Sequence, residues 1–313
     1  MTAPPRLADL IRTEWQAPLP DPAAALVRAL RDHGGDNVAA VLFYGSNLRS
    51  GDVEGVLDFY VLLDRLTPWR DSRSLAAATH LLPPSVEYWE VPWQGHVLRA
   101  KVAVMGIGQF AAANRFGGWD TTIWARFAQP VLLAHARDAA ATGRVLAAVA
   151  QAVSTAGRWA ALLGPAQGTA RDYWEALFMA TYAAELRVEK AARGVSLVDH
   201  AADRYTALLV PAWQAAGITC EEKAGGILLP LMGQTERTRG VRAWARRRLF
   251  GKGLNVARLV KAAFTFQGGV DYLLWKLHRH SGMRLELTPW QRRHPVLSAP
   301  GILWKLKRMG AIR

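Results

Sequence analysis

The sequence is poor in cysteine and lacks long apolar runs, and each shortage excludes a class of protein. Cys220 is the only cysteine among 313 residues, which rules out an intramolecular disulfide framework and suits a reducing compartment. No segment approaches the roughly 18–20 uninterrupted apolar residues of a membrane span. The N-terminal stretch MTAPPRLADLIRTEW has no uninterrupted apolar core, so we expect neither a signal peptide nor an anchor there. The composition is 51% hydrophobic, which excludes a disordered chain.

Acidic residues are scarce in the last quarter of the chain. Residues 233–313 hold 18 Lys and Arg against 3 acids, a net charge of +15, whereas the whole chain carries +14. The remaining residues are therefore nearly neutral, and the basic character is local. A basic quarter of this kind favours anionic partners such as phospholipid, nucleic acid or an acidic protein.

Residues 1–136 carry the signals of a small sheet with helices around it. Asp21 and Gly34 are suited to cap and end a helix. Apolar strands are predicted at 38–44 and 56–63, on either side of a polar loop over 47–55. A hairpin follows, with strands at 86–91 and 96–105 and a turn at Gln94-Gly95. Two short helical patterns and a short apolar run over 130–134 complete this region.

The rest of the chain is predicted to be helical. From Arg137 to about Ala216 the chain is rich in Ala, Leu and Arg at helical spacing. Residues 233–313 form a basic amphipathic region whose apolar stripe includes Val256, Val260 and Phe264, with a break expected at Gly268-Gly269. We therefore predict an α/β (α+β) fold with three parts: a sheet domain (1–136), a helical domain (137–232) and a basic amphipathic helical region (233–313).

The stretch FYGSNLRSGDVEGVLDFYVLL carries the clearest chemistry. Gly45 lets the backbone approach a phosphate closely, and the Ser46 hydroxyl and nearby N–H groups can bind phosphate oxygens. Asp58 on the next strand can hold Mg²⁺ that bridges those phosphates. The pattern is typical of the nucleotidyltransferase superfamily that includes DNA polymerase β, so we expect residues 1–136 to form a polymerase-β-like nucleotidyltransferase domain. That superfamily usually has Asp-hydrophobic-Asp on the second strand, whereas this chain has Asp58-Phe59-Tyr60, so a degenerate domain and a chance match both stay open.

More of the chain resembles one branch of that superfamily, the mitochondrial translocator-assembly-and-maintenance family of peripheral CDP-diacylglycerol synthases (phosphatidate cytidylyltransferases). FYGSNLRS…VLDFYVLL resembles the family's YGS…IDF pair, in which the second acid is likewise hydrophobic. LPPSVEYWEVPWQGHVLRAKVAVMGIGQF is similar to its hairpin and places Lys101 at the family lysine. FGGWDTTIWARFAQPVLL matches at Trp119, Arg126 and Pro130. GKGLNVARLVKAAFTFQGGVDYLLWKLHRH resembles the family's C-terminal segment, which is implicated in membrane binding.

The resemblance implies that CTP and phosphatidic acid react to give CDP-diacylglycerol and pyrophosphate with Mg²⁺ as cofactor. Asp58 would bind the metal, Gly45 and Ser46 would hold the β- and γ-phosphates, and Lys101 would act at the triphosphate or the lipid phosphate. Arg126 is a candidate phosphate ligand. A second metal-binding carboxylate is also expected, and Glu87 on the hairpin is the best-placed candidate, ahead of the loop acids Asp52 and Glu54.

The basic quarter favours an anionic membrane surface. Basic residues beside an apolar helix face bind anionic lipid, and tryptophan favours the headgroup level. The tryptophans concerned are Trp244, Trp275, Trp290 and Trp304. We expect a cytoplasmic enzyme bound peripherally to the inner face of a membrane, with nucleic acid disfavoured as a partner. Three alternatives stay open: a stripe that packs on the body with solvated arginines, a transferase acting on RNA, a small molecule or a protein, and a non-catalytic membrane scaffold.

Overall fold

A computed structural model describes residues 5–50, 55–70, 72–184, 197–266 and 268–270, and single positions at 272, 274, 275, 279, 287, 288, 290, 291, 298 and 301. The predictions for Asp52, Glu54 and Trp304 lie outside these residues, as does most of the tail beyond the expected break at Gly268-Gly269. The described part is a mixed α/β structure with a five-stranded mixed sheet and many helices.

The first half of the chain supplies the sheet. Its strands are β1 (Val38–Tyr44), β2 (Val56–Leu63), β3 (Ser85–Trp93), β4 (His96–Gly106) and β5 (Val131–Ala136). The helices around them are α1 (Pro5–Glu14), α2 (Asp21–Gly34), α3 (Ser46–Ser50), α4 (Thr67–Arg70), α5 (Arg73–Leu81), α6 (Ile107–Ala113) and α7 (Thr122–Phe127). The strand order is β3-β4-β2-β1-β5, in which β2 and β4 are parallel and the other neighbours are antiparallel.

The second half is mainly helical. It contains α8 (Ala139–Leu163), α9 (Ala170–Ala184), α10 (Ala202–Ala215) and α11 (Gln234–Thr265), with a small hairpin of β6 (Cys220–Lys223) and β7 (Ile227–Pro230) before α11. Asp138 caps α8, since its side chain accepts a hydrogen bond from the Ala141 backbone N–H at 2.7 Å. The helices predicted for residues 137–232 and the start of the basic region are therefore present.

Two hydrophobic cores lie on opposite faces of the sheet. One face carries Val41, Phe59 and Val102 and packs against α2. The other carries Leu42, Tyr60 and Ala103 and packs against α6 to α10. This second core is continuous from the sheet into the helical region, so it crosses the predicted boundary at 136/137. The division into three regions stays a prediction.

Helix α8 is long and apolar enough to be considered as a membrane span, with a mean hydropathy of 1.2 over its most apolar window. However, 83% of that window is buried inside the protein. Trp159, Val149 and Val153 on α8 belong to the core beside the sheet. The apolar character of α8 is therefore explained by its central place in the core.

Several local expectations are confirmed and two are wrong. Strands β1 and β2 have the predicted bounds, and the β3–β4 turn is at Gln94-Gly95, where both residues have positive φ. Asp21 does not cap α2, because Asp21 is itself the first helical residue and no side chain caps the helix. The expected loop after β1 begins instead as the short helix α3.

Helix α11 turns its apolar stripe outward. Val256, Val260 and Phe264 are exposed, Phe264 to 74%, whereas Arg258 and Lys261 are partly buried against the body. Carbonyl groups explain this orientation. Arg258 donates to the Pro83 carbonyl at 2.8 Å, and Lys261 donates to the carbonyls of Leu82 and Pro84 at 2.5 and 2.7 Å. The alternative in which the stripe packs on the body while its arginines are solvated is therefore wrong for this helix.

Trp244 on α11 was expected at a membrane surface, and this expectation is also wrong. The side chain is buried, and its ring lies 5.0 Å from that of Trp159 and 6.3 Å from that of Trp124. The first part of α11 is thereby fixed to the core, whereas Trp290 is exposed.

Candidate active site

A cavity of about 680 Å³ lies between the sheet and α11. Its floor is the sheet face that carries the second core, at the end of β1 and along β2 and β4. Helix α7 forms one side, and the C-terminal part of α11 forms a wall. The cavity is lined by five of the six predicted site residues, namely Gly45, Ser46, Asp58, Lys101 and Arg126.

Gly45 and Asp58 are in direct contact. Tyr44 pairs with Asp58 across the antiparallel β1–β2 ladder, which places the next residue, Gly45, over the carboxylate. The φ angle of Gly45 is +99°, a backbone conformation that L side chains rarely adopt. A Cβ at Gly45 would lie 2.7 Å from Asp58 Oδ2, closer than real Cβ contacts come. Glycine is therefore required both for the turn and for the position of the carboxylate.

Lys101 is the direct neighbour of Asp58 on the adjacent strand. The parallel β2–β4 register pairs the two residues, so both side chains leave the same face of the sheet. Both are intermediate in exposure and line the cavity. The arrangement places a carboxylate and an ammonium group side by side on the cavity floor.

Arg126 enters the cavity from α7 and contacts two tyrosines. Its Nη1 donates a hydrogen bond to the Tyr60 hydroxyl at 2.8 Å. Its guanidinium lies 5.5 Å from the centre of the Tyr44 ring and 5.9 Å from that of Tyr60. Stacking on aromatic rings suits a guanidinium, which stays charged at any physiological pH. The Arg126 guanidinium is therefore a permanent positive charge next to Tyr60, the second residue after Asp58.

Glu87 does not join this group. On β3 it pairs with Val102, so it faces the core on the opposite side of the sheet from Lys101. The side chain is buried, and its two oxygens accept hydrogen bonds from the indole N–H groups of Trp69 and Trp89, each at 2.9 Å. The prediction of Glu87 as a second metal ligand is wrong, because the alternation of side chains along β3 sends it away from the cavity.

The residues present fit a magnesium ion bound together with a nucleotide. Among the described residues no group of three or more His, Cys, Asp or Glu side chains could hold a metal on its own. Mg²⁺ is usually held by one or two carboxylates together with substrate phosphates, so a complete protein cage is not needed. Asp58, kept in place by the close approach of Gly45, would be the protein ligand, and its role stays a prediction.

The wall from α11 adds two cations that sequence reasoning did not assign to the site. Arg258 forms an ion pair with Asp120 at 2.5 Å, and Lys261 donates to Ser85 Oγ at 3.2 Å. Burial alone would raise the pKa of Asp120, but the hydrogen bond and charge of Arg258 outweigh it and hold that pKa below the ordinary value of an aspartate. Arg258 and Lys261 are three residues apart, so the sequence could have indicated that they share a helix face. It could not have indicated that this face points inward.

The described lining therefore has four basic side chains, Lys101, Arg126, Arg258 and Lys261, against one carboxylate, Asp58. Such a cavity attracts an anionic ligand. Neither a protein-family description nor a curated protein matches this chain.

Proposed function

We propose that the chain is a nucleotidyltransferase of the polymerase-β type. The observation that carries this proposal is the contact between Gly45 and Asp58 at the end of two neighbouring strands, with Lys101 on the next strand. A tight glycine turn beside a strand carboxylate suits the binding of a metal-complexed triphosphate. The basic lining supports a highly anionic substrate.

The particular reaction that we propose is transfer of a cytidylyl group from CTP to phosphatidic acid. An oxygen of the lipid phosphate bonds to the α-phosphorus of CTP, and the bond from that phosphorus to the oxygen bridging toward the β-phosphate breaks. The electron pair leaves with pyrophosphate, and CDP-diacylglycerol is the other product. Because the lipid phosphate is already an anion, no strong general base is needed.

The main task of such a site is to bring two anions together. Positioned cations lower the repulsion between them and stabilise charge that develops on the phosphates. Mg²⁺ held at Asp58 would supply part of this charge. Lys101 and Arg126 would orient the phosphates, and Gly45 and Ser46 would face the triphosphate. Choice of CTP over other nucleotides rests on the family resemblance alone.

The outer face of α11 supports a lipid acceptor. Leu249, Phe250, Val256, Val260 and Phe264 are exposed along it. The ring of Trp119, which is also exposed, lies 4.7 Å from that of Phe250, so the apolar surface extends onto the loop before α7.

Basic side chains border this apolar surface. Arg242, Arg246, Arg248 and Lys252 are exposed on the same helix. Apolar area with basic neighbours binds anionic membranes, whereas a surface that follows phosphates on RNA needs no apolar face. The opposite side of α11 lines the cavity, so docking by this face would place the cavity about 10 Å, one helix diameter, from the lipid surface. We therefore propose a cytoplasmic, peripheral membrane enzyme.

The test is pyrophosphate release with each of the four NTPs and Mg²⁺, with and without vesicles that contain phosphatidic acid. Wild type is compared with Asp58→Asn and with Asp64→Asn, a matched control whose carboxylate follows the other end of β2 and pairs with Arg137 on the surface. We expect release only with CTP and phosphatidate together, lost in Asp58→Asn and kept in Asp64→Asn.

Other outcomes separate the alternatives. Turnover with another acceptor or nucleotide would retain the nucleotidyltransferase and refute the lipid reaction. A folded protein that binds vesicles, yet neither binds Mg–CTP nor releases pyrophosphate, would support the non-catalytic scaffold.

A further inference from the structure

Tyr60 occupies an unusual place in the candidate site. It lies two residues after Asp58 on β2, so both side chains are on the cavity face of the sheet. In nucleotidyltransferases of the DNA polymerase β superfamily whose sites have two carboxylates on this strand, the second acid occupies this position. Here the side chain is fully buried, and its hydroxyl accepts a hydrogen bond from Arg126 Nη1 at 2.8 Å.

The aromatic surroundings fix the orientation of Arg126. The ring of Tyr44 lies 5.3 Å from that of Tyr60, and Phe127 packs edge-on against Tyr60 at 4.9 Å. The Arg126 guanidinium lies over both tyrosine rings. Since Tyr44 also pairs with Asp58, the guanidinium and the carboxylate are held by neighbouring residues of one rigid ladder.

The balance of acidic and basic side chains in the cavity indicates what the Tyr60–Arg126 pair can do. A second carboxylate at the Tyr60 position would help to hold a second divalent cation, and that cation would neutralise the phosphates. The described lining offers only Asp58 as a carboxylate, but it also offers the guanidinium of Arg126, which is held at the hydroxyl of the tyrosine that stands in the second acid's sequence position. A guanidinium binds phosphate oxygens by charge-assisted hydrogen bonds and needs no metal.

We propose that Arg126 supplies the positive charge that a second metal ion supplies in two-carboxylate relatives, and that Tyr60 is the positioning residue that directs it to the nucleotide phosphates. The site then works with one divalent cation. This inference rests on the proposed nucleotidyl transfer and concerns how the triphosphate is held.

The experiment uses the full chain and measures binding rather than turnover alone. Mn²⁺ replaces Mg²⁺, and electron paramagnetic resonance counts the ions bound per protein with saturating CTP. Calorimetry gives the affinity for Mg–CTP in wild type, Tyr60→Phe, Arg126→Ala, Arg126→Lys and the Tyr60→Phe/Arg126→Ala double variant. The matched control is Tyr173→Phe, which removes another buried tyrosine hydroxyl, one that donates to the Leu228 carbonyl outside the cavity.

We expect one Mn²⁺ per nucleotide site. Loss of a charge-assisted contact predicts a roughly 10- to 100-fold weaker affinity for Mg–CTP in Arg126→Ala, with partial recovery in Arg126→Lys. Tyr60→Phe should weaken binding about 3- to 10-fold, and should have no further effect when Arg126 is already alanine, because Tyr60 acts through Arg126. Tyr173→Phe should bind like wild type.

Two Mn²⁺ ions per site in wild type would overturn the inference. So would unchanged affinity in Arg126→Ala, or a Tyr60→Phe effect that adds fully to that of Arg126→Ala. If these failures occur while wild type still binds Mg–CTP and releases pyrophosphate, the nucleotidyltransferase stands and only the role of Tyr60 and Arg126 falls. A wild type that binds no Mg–nucleotide overturns both.

Discussion

Replacement of Gly45 by alanine tests whether the glycine turn serves the carboxylate. The added Cβ would lie 2.7 Å from Asp58 Oδ2, and ordinary van der Waals contact begins at 3.4 Å. The carboxylate oxygen must therefore retreat by about 0.7 Å if the backbone keeps its conformation. Distances between a metal and its ligands tolerate roughly 0.2 Å. The displaced oxygen would be outside that tolerance.

The substitution has two costs that can be separated. Alanine at a positive φ costs about 1–2 kcal/mol of folding free energy wherever it occurs. Displacement of a group that positions substrate costs activity, on the order of 100-fold for 1 Å. Gly95 in the β3–β4 turn has a φ of +78° and no atom within 4 Å of the Cβ it would gain. Gly95→Ala therefore carries the backbone cost without touching Asp58.

The assay compares both variants by thermal unfolding and by Mg–CTP binding and pyrophosphate release. We expect both to lose about 1–2 kcal/mol of stability. Gly45→Ala should in addition lose roughly 10- to 100-fold in nucleotide binding or turnover, whereas Gly95→Ala should keep wild-type values. If Gly45→Ala is as active as Gly95→Ala, the carboxylate does not need its present place and the reasoning about this site is refuted.

Three further predictions concern the surroundings of the site. Glu87→Gln should lower the free energy of unfolding by about 1–3 kcal/mol, because the amide NH₂ would face a buried indole N–H. The affinity for Mg–CTP should stay unchanged. Loss of metal binding at constant stability would instead show that Glu87 is a metal ligand. Asp120→Asn should cost about 1.5–3 kcal/mol near pH 7, because it removes the carboxylate that accepts a charged hydrogen bond from the partly buried Arg258. The stability that the ion pair contributes is complete above the unfolded-state pKa of Asp120, about 3.9, and is lost as pH falls through its lower folded-state pKa. The free energies of unfolding of wild type and Asp120→Asn, plotted against pH, should therefore converge in acid. Two parallel plots would contradict a stabilising ion pair. Val260→Ser with Phe264→Ser should weaken binding to anionic vesicles by at least tenfold in a sedimentation assay without changing Mg–CTP affinity, and equal vesicle binding would exclude this face as the docking surface.

The strands of the site were predictable because their signals are local. An apolar run that stops at Gly45 marks the end of β1. A second apolar run after the polar loop predicts β2 in the same way. Since strand neighbours in sequence often pair, Asp58 and Gly45 could be expected near each other. Lys101 was predicted because the family resemblance matches it to the family lysine, whereas the pairing of β4 with β2 that brings it beside Asp58 is known only from the structure.

The face of the sheet on which Glu87 lies was harder to predict. A shift of one residue in the register of β3 moves every side chain to the other face. The sequence around Glu87 alternates poorly, because Tyr88 and Trp89 are both large and aromatic. One of the two indole N–H donors that satisfy the buried carboxylate, Trp89, lies on β3 itself, but the other, Trp69, comes from α4, so the pattern within β3 could not reveal the complete set of partners.

Helix α11 shows why an amphipathic pattern does not by itself say which face points inward. The usual expectation buries the apolar stripe and exposes the cations. Here the segment between α5 and β3 offers several backbone carbonyls, and Arg258 and Lys261 satisfy them. Hydrogen bonds to charged groups contribute about 1.5–3 kcal/mol each, which is comparable to burial of one apolar side chain. The acceptors that decide the orientation lie far away in sequence.

The inverted orientation of α11 also connects the two halves of the proposed function. A helix that buried its apolar stripe would leave the cavity without a basic wall and the surface without an apolar face. Because the cations point inward, one helix both adds basic side chains to the cavity lining and presents Phe264 and its neighbours to the outside. An acceptor whose phosphate is charged and whose chains are apolar matches both sides of such a helix. A soluble phosphate acceptor would need only the inner side, so separate variants of the two faces can distinguish a lipid acceptor from a soluble one.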